Sequence, residues 1–328
     1  MGKGFTLIKR LPLMLSVVLS VLVMHCHAVQ AETVQALSTD PIEHVYFWRS
    51  GMSEGRKPYE TELIELVLSL SDDKYGPAEL VVSEREMSAV RGREQLSIGK
   101  GVDIITSPLY SEELKHAEDQ GTIILPYDIL RNLLGYRRLI VRSEDKAKFE
   151  SLNSFEDLGV MVCAQGRDWP DASIYQHAQL NVVFSESYLS LFPMLAYDRF
   201  DYLPLGAGEI EASLAANNVL GDHLSIADNL VIYYAWPVRI LVNQHKKHLA
   251  ERIDYGYQAA LKSGALDALF ERHFGKVIER LNSSDIKVFV LENPLSNPSE
   301  KAPSPSLTAN AQILHDYRQP HELVPLHN

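Results

Sequence analysis

Short apolar strands alternate with amphipathic helices along most of this 328-residue chain, and this alternation constrains the fold more than any other feature. Apolar runs at residues 44–48 and 80–82 have the length and composition of buried strands. Between them, Leu63 and Val67 lie on one face of a predicted helix. The alternation restarts near residue 139. Strands separated by helices usually pair in parallel, so we predict an α/β protein with two lobes, each a sheet flanked by helices.

The C-terminal part of the chain combines two helices, a strand and a proline-rich tail. Gly264 lies between the two predicted helices, where a helix end favours positive φ, and the second helix is predicted to stop at Gly275. Residues 288–291 predict one more buried strand. Six of the 16 prolines lie in residues 293–328, which predicts an extended and mostly unfolded tail.

The N-terminus has the three parts of a secretory signal peptide. Lys3, Lys9 and Arg10 are basic, residues 11–24 are apolar, and small residues lead to Ala31. The apolar run is shorter than the ~20 residues that a membrane span needs. We therefore expect a signal peptide over residues 1–31, cleavage after Ala31 and a periplasmic location.

Charge and cysteine content exclude several classes of protein. The formal net charge of -12 disfavours nucleic acid as a partner, because phosphate binding needs a basic face. Cys26 leaves with the signal peptide, and Cys163 alone cannot form an intramolecular disulfide, so we expect it to be a buried small hydrophobe. His245 and His248 stand three residues apart beside two lysines, which favours a solvated turn over a metal site.

Three stretches of the sequence resemble a known family. In their order and spacing they are similar to the bacterial extracytoplasmic solute-binding proteins of family 3, the polar-amino-acid binders that feed ABC transporters. Residues 133–137 and 199–204 look closer to a poorly characterised branch of that family. The stretches are GVDIIT at 101–106 with PY at 126–127 and LIVR at 139–142, LNSFEDLGVMV at 152–162 with QG at 165–166, and AALKSGALDALFERHFG at 259–275.

The resemblance implies a two-lobed clamshell, the type II periplasmic-binding fold, with ligand held between the lobes. Mapped onto this chain, lobe 1 comprises residues 44–132 and 236–292, and lobe 2 comprises residues 133–235. The two crossovers between the lobes then lie near residues 131–136 and 233–237. Strand ends and helix N-termini converge at such a cleft.

Candidate ligand-binding residues in lobe 1 follow two predicted strands. Trp48 offers an apolar wall and Arg49 a bidentate fork for a carboxylate or phosphate, although a half-buried Trp beside a solvated Arg explains the pair equally well. Thr106, Ser107 and Tyr110 follow the third strand, where the family holds the ligand's α-amino or carboxylate end.

One departure from the family bears on the ligand. Amino-acid binders of this family place an Arg a few residues after the equivalent of Thr106, whereas this chain has the acidic stretch at 111–113. Recognition of a free α-amino acid is therefore in doubt. Arg167, in a loop with Asp168 and Trp169 before a predicted helix, could supply the missing cation from the other lobe. The alternative roles are capping for Asp168 and a packed rim position for Trp169.

Three further candidates complete the predicted site. Gly206 allows close approach of the backbone to a small molecule, and Glu209 could bind an amine or could simply begin a helix. Tyr127, near the first crossover, adds an aromatic surface that suits rings, sugars or cations equally well.

These observations favour a monomeric periplasmic protein that binds a small polar solute, closes about its hinge and delivers the solute to an ABC-type transporter. The alternative is a soluble sensing module that presents its closed state to a membrane signalling protein. An enzyme on the same fold is a second alternative. The sequence offers no nucleophile elbow, metal motif or defined acid–base pair, so we expect no catalytic residues, metal or cofactor.

Overall fold

The computed structural model describes residues 42–49, 55–108, 122–167, 169–296, 306–308 and 310–317, and the predicted signal peptide lies outside them. Two mixed sheets flanked by helices form the fold, which confirms the predicted α/β class. None of the helices in these ranges is both long and hydrophobic enough to cross a bilayer. The helices are α1 (Lys57–Ser69), α2 (Asp72–Tyr75), α3 (Ala89–Ser97), α4 (Lys146–Glu150), α5 (Phe155–Gly159), α6 (Ala172–His177), α7 (Tyr188–Ala196), α8 (Ile210–Ala216), α9 (Lys247–Ser263) and α10 (Ala265–Leu281).

The first sheet has five strands in the order β2-β1-β3-β10-β4. Strand β1 is parallel to β2 and β3, as the strand–helix alternation predicts, whereas β10 runs antiparallel between β3 and β4 because the chain enters it from the other sheet. The strands are β1 (Glu43–Trp48), β2 (Ala78–Ser83), β3 (Ile104–Pro108), β4 (Ile123–Ile124) and β10 (Val238–Val242).

The second sheet has seven strands in the order β12-β11-β9-β5-β8-β6-β7. Its central strand β5 is buried along its whole length between β8 and β9, both antiparallel to it. The strands are β5 (Tyr136–Arg142), β6 (Val162–Gly166), β7 (Asn181–Ser185), β8 (Tyr202–Gly206), β9 (Leu224–Tyr233), β11 (Lys287–Val290) and β12 (Gln312–Asp316).

Two observations bear on the predicted domain organisation. Strand β11, assigned from sequence to the first lobe, pairs in parallel with β9 of the second sheet. In the tail from residue 293, predicted to be extended and mostly unfolded, β12 pairs in parallel with β11, and Thr308 is buried. Strand β11 covers an edge of β9 that would otherwise be unpaired, and β12 in turn covers the outer edge of β11.

The two C-terminal helices confirm one prediction and correct another. Gly264 has φ 77°, the left-handed conformation that the sequence predicts for the end of α9. Helix α10 continues past Gly275 to Leu281, because its apolar face continues through Val277 and Ile278 to the fully buried Leu281. The first part of α10 packs on the first lobe, where Phe270 and Phe274 contact Tyr59.

Helix α9 packs against α1 at Gly256, where a Cβ atom would lie 1.8 Å from the Val67 carbonyl oxygen. We expect Gly256→Ala to lower the free energy of unfolding by about 2–3 kcal/mol, because the two backbones must move apart. Urea denaturation measures the loss. The control is Gly159→Ala at the end of α5, where a Cβ atom meets nothing within 4 Å, and there we expect a change below about 0.5 kcal/mol. Equal stability of both variants would contradict this packing.

Cys163 is fully buried on β6, as the sequence predicts for a small hydrophobe. Burial raises the pKa of its thiol to about 12. The thiolate form is therefore scarce at neutral pH, and Cys163 packs against the core as an apolar residue.

Candidate functional site

A cavity of about 600 Å³ opens between the two sheets, within the size range of small-molecule sites. Gly55, Arg56 and Pro108 line it from the first lobe, and Trp236 lines it from the second crossover. The second lobe contributes the larger share of the wall. The residues on that side include Leu134, Arg137, Trp169, Pro170, Asp171, Tyr188, Leu189, Leu205, Glu209 and Ser213.

Arg137 is the centre of a buried charge network in this wall. Arg137 is the second residue of β5, and its backbone pairs with Gly206 of β8. Its side chain is only 8% exposed. Its Nη2 atom lies 3.0 Å from Asp171 Oδ2, and its Nη1 atom lies 3.8 Å from Glu209 Oε1. Tyr234 donates its hydroxyl to the same Asp171 oxygen at 2.7 Å, and the Arg137 guanidinium lies 5.3 Å from the Tyr234 ring centroid.

The protonation states in the network follow from burial and from neighbouring charges. Burial acts to lower the pKa of Arg137, but its interactions with acidic neighbours, Asp171 and Glu209 among them, outweigh burial and raise the pKa overall. Burial also raises the pKa of Tyr234 well above its ordinary value. Arg137 therefore stays charged, and Tyr234 stays protonated and able to donate to Asp171.

The first lobe contributes a second guanidinium. Arg56 precedes α1 and donates from Nε to Glu60 Oε1 at 2.7 Å, while Thr106 in the middle of β3 donates its hydroxyl to Glu60 Oε2. Glu60 is fully buried, and its contacts with Arg56 and Thr106 hold the Arg56 side chain in place. The Nη2 atom of Arg56 is buried and has no hydrogen-bond partner within the described residues.

Aromatic side chains form the apolar part of the wall. The ring centroids of Trp169 and Tyr188 lie 6.1 Å apart. The Trp169 indole lies against Gly166, where a Cβ atom would come within 2.6 Å of Nε1, so only glycine leaves room for this position. Trp236 is buried, and its side chain lines the cavity. A hydrogen bond from the Trp236 backbone N–H to Asn132 at the first crossover holds the residue there.

Some of the predicted site residues meet at this cavity. Trp169 and Glu209 line it directly. Gly206 lines a small adjoining cavity and donates its N–H to Glu209 Oε1 at 3.2 Å. Thr106 lies behind the cavity wall, where its hydroxyl donates to the Glu60 carboxylate.

Other predicted residues lie elsewhere in the first lobe. Trp48 packs on Gly92 in a separate small core and donates from Nε1 to the Arg85 carbonyl at 2.8 Å. Arg49 pairs with Glu84 and donates to Thr61. None of these side chains lines the cavity.

The remaining predicted residues are also away from the cavity or outside the described residues. The Ser107 hydroxyl donates to the carbonyl of the next residue, and Tyr127 stacks on Tyr257 of α9 with ring centroids 3.9 Å apart. Arg167 is 56% exposed and pairs with Glu186. Tyr110 and Asp168 lie outside the described residues. Across the described part of the chain, no group of three or more His, Cys, Asp or Glu side chains is arranged to hold a metal ion.

Sequence reasoning missed Arg56, Arg137, Asp171, Tyr188 and Trp236. Arg137 carried one usable signal, since a charged residue inside a predicted buried strand needs a buried partner. Trp236 carried another, because it lies within the predicted second crossover. Neither signal identifies the residues that Arg137 and Trp236 contact, because those residues belong to other elements of the fold.

Comparisons with known proteins bear on the fold. No protein-family model and no curated protein sequence matches the chain. A solved structure from Bacillus subtilis, described as the probable amino-acid ABC transporter extracellular-binding protein ytmK, matches with a TM-score of 0.53 at 12% identity, over 72% of this chain and 99% of that chain. This likeness confirms the predicted fold, the two-lobed architecture of type II periplasmic binding proteins.

Two further solved structures are similar by the same comparison. One comes from work on glutathione import by GshT and the cystine ABC importer TcyBC of Streptococcus mutans, with a TM-score of 0.49 at 13% identity, over 72% of this chain and 96% of that chain. The other is a mutant of ArgBP from T. maritima, with a TM-score of 0.47 at 18% identity, over 71% of this chain and 95% of that chain.

Proposed function

We propose that this chain, with its two-lobed binding-protein fold, is a periplasmic protein that captures a small polar solute between its lobes and delivers it to an ABC-type importer. One observation carries the proposal: a cavity of about 600 Å³ lined by both lobes, with buried charged groups and aromatic walls. Few precisely placed polar groups on an apolar wall are typical of small-molecule sites. The Bacillus subtilis structure of the same fold is described as a probable amino-acid ABC transporter extracellular-binding protein, which supports this assignment.

The two crossovers supply the hinge. Arg131 and Asn132, at the first crossover, have φ of 52° and 60°, a left-handed conformation that is costly for residues other than glycine. The Asp128 carboxylate accepts backbone N–H groups from Leu130, Asn132 and Val238, and so ties the first crossover to β10. In this proposal the lobes rotate about the two crossovers, and the ligand favours the closed state to the extent that it binds that state more tightly.

Location and partner form the rest of the proposal. The signal-peptide pattern over residues 1–31 favours export and cleavage after Ala31. The closed form would then dock on a membrane permease, and the chain itself would leave its solute chemically unchanged.

A thermal-shift screen of the purified chain against amino acids, amines and organic acids tests the binding function. A compound at ~100 times its dissociation constant is expected to add ~2.7 kcal/mol to the free energy of unfolding. If no compound of these classes raises the melting temperature, the proposed function is wrong.

We expect Trp169→Ala to weaken the affinity for any compound found in this screen by at least about tenfold, because the indole forms part of the cavity wall. Arg167→Ala is the matched control two residues away, where the side chain is exposed and paired with Glu186, and it should leave affinity unchanged. Isothermal titration calorimetry of both variants measures the difference. An equal effect of the two substitutions would place the solute outside this cavity.

A further inference from the structure

Helix α10 and the residues after it connect the two lobes once more, besides the two crossovers. The first turns of α10 pack on the first lobe, where Arg272 pairs with Glu62 of α1, and the ring centroids of Phe274 and Tyr59 lie 4.9 Å apart. The chain then turns and enters β11, which pairs with β9 in the second sheet. We call residues 282–296, which follow α10, the return segment.

The far end of this connection is anchored on the second lobe. Lys287, the first residue of β11, donates from Nζ to the carbonyl oxygens of Glu150 at 3.0 Å and Leu152 at 2.9 Å. Arg280, in the last turn of α10, donates from Nη2 to the Asp228 carbonyl oxygen. Strand β11 therefore moves with the second lobe, whereas the start of α10 moves with the first.

The turn between α10 and β11 has little slack. Helix α10 ends at Leu281 and β11 begins at Lys287, so residues 282–286 alone join them. The Ile286 N–H donates to the Ser283 carbonyl oxygen at 3.2 Å, which closes the turn. Two contacts between Arg280 and Asp285, at 3.0 and 3.1 Å, hold the turn against the helix end. A turn closed in this way cannot lengthen unless these contacts break.

The same connection contacts both crossovers. At the first crossover, Arg131 pairs with Asp267, near the start of α10. At the second crossover, the buried Asn293 of the return segment donates from Nδ2 to the Ala235 carbonyl oxygen at 2.8 Å. A rotation of the lobes about the crossovers therefore acts directly on α10 and on the return segment.

We propose that α10 and the return segment act as a strap that limits how far the two lobes separate. Two crossovers alone leave the lobes free to rotate about a hinge. A further connection with little slack must lose its packing on one lobe when the cleft opens widely, so it resists that motion. The strap thereby sets how wide the entrance to the cavity becomes. The inference rests on the proposed function only in that the lobes open to admit a solute, and it requires no particular solute.

Lengthening the turn tests the strap. Ten glycine and serine residues inserted between Ser283 and Ser284 add a flexible linker with an end-to-end distance of about 18 Å. Spin labels are attached to Gln176→Cys in the second lobe and Lys247→Cys in the first, both of which are exposed positions. Cys26→Ser removes the other candidate for labelling, and Cys163 is buried.

Double electron–electron resonance on the full chain without solute then measures the distribution of distances between the labels. With the added linker we expect this distribution to broaden by about twofold, because the lobes separate further. The matched control carries the same insertion after Lys100, in an exposed turn between α3 and β3 of the first lobe, and should leave the distribution unchanged.

Arg280→Ala is a second variant that keeps the chain length, and it decides the question if the insertion displaces β11. It removes the contacts with Asp285 and with the Asp228 carbonyl oxygen from a side chain that is 29% exposed, and we expect a smaller broadening. Distributions as narrow as that of the control in both variants would overturn the inference. Because these measurements use no solute, that outcome leaves the proposed function standing, and a failed solute screen leaves the strap standing.

Discussion

Replacing Arg137 with methionine is expected to lower the free energy of unfolding by about 3–5 kcal/mol and to abolish solute binding. The substitution removes the cation that lies against Asp171 and Glu209, two carboxylates whose side chains are only 10% and 13% exposed. A buried charge left without its partner costs more than the pair contributed. Methionine fills a similar volume, so the loss reports the charge rather than a cavity. Urea denaturation at neutral pH measures it.

The matched control removes the orphaned charge as well. In the double variant Arg137→Met with Asp171→Asn, residue 171 is neutral and its amide oxygen can still accept the Tyr234 hydroxyl. We expect the double variant to recover a large part of the stability that the single variant loses, so that the two substitutions are strongly non-additive. A single-variant loss below 1 kcal/mol, or simple additivity, would show that Arg137 and Asp171 do not form this buried pair.

The second large effect concerns the C-terminal strand. Phe289→Ala is expected to cost about 3–5 kcal/mol, because Phe289 is fully buried and its ring packs edge-to-face against Phe155 at 5.9 Å. The control is Ile313→Ala on β12, where the side chain is 43% exposed and a loss below about 1 kcal/mol is expected.

Hydrogen exchange tests whether β11 belongs to the second sheet, as the structure has it, or to the first lobe, as the sequence predicted. Strand β11 pairs with β9, so Phe289→Ala should reduce amide protection in residues 224–233 more than in residues 43–48 of the first sheet. If protection falls first in residues 43–48, the strand belongs to the first lobe after all.

Much of the fold could be predicted because it depends on local pattern. The strand predicted at residues 44–48 is β1, and Gly264 has the predicted positive φ. Both follow from side-chain periodicity and backbone preference within a few residues. The type II fold followed from the resemblance. Strand β11 was recognised as a strand, but which sheet it joins depends on the free edge of β9, about 55 residues earlier in the chain.

The site could be predicted less well, because its composition depends on partners that are distant in sequence. Arg49 and Arg137 are both arginines beside a strand end, yet one pairs with Glu84 at the surface and the other with Asp171 in the cavity wall. Tyr127 follows the first sheet's last short strand but stacks on Tyr257 of α9. Their positions in loops identified Trp169 and Glu209 as candidate cavity residues. Arg56 could be recognised only from its contact with Glu60, which also accepts the Thr106 hydroxyl.

Native mass spectrometry of the purified chain with one screened compound tests solute capture most directly. We predict one molecule bound per chain, lost on unfolding, and recovered with its mass unchanged after dialysis. At equal concentration, the same compound should occupy the Arg167→Ala chain as fully as the wild type and the Trp169→Ala chain to a much smaller extent. Binding that is unaffected by Trp169→Ala, or a recovered compound of altered mass, would contradict a cavity that holds its solute between two lobes and releases it intact.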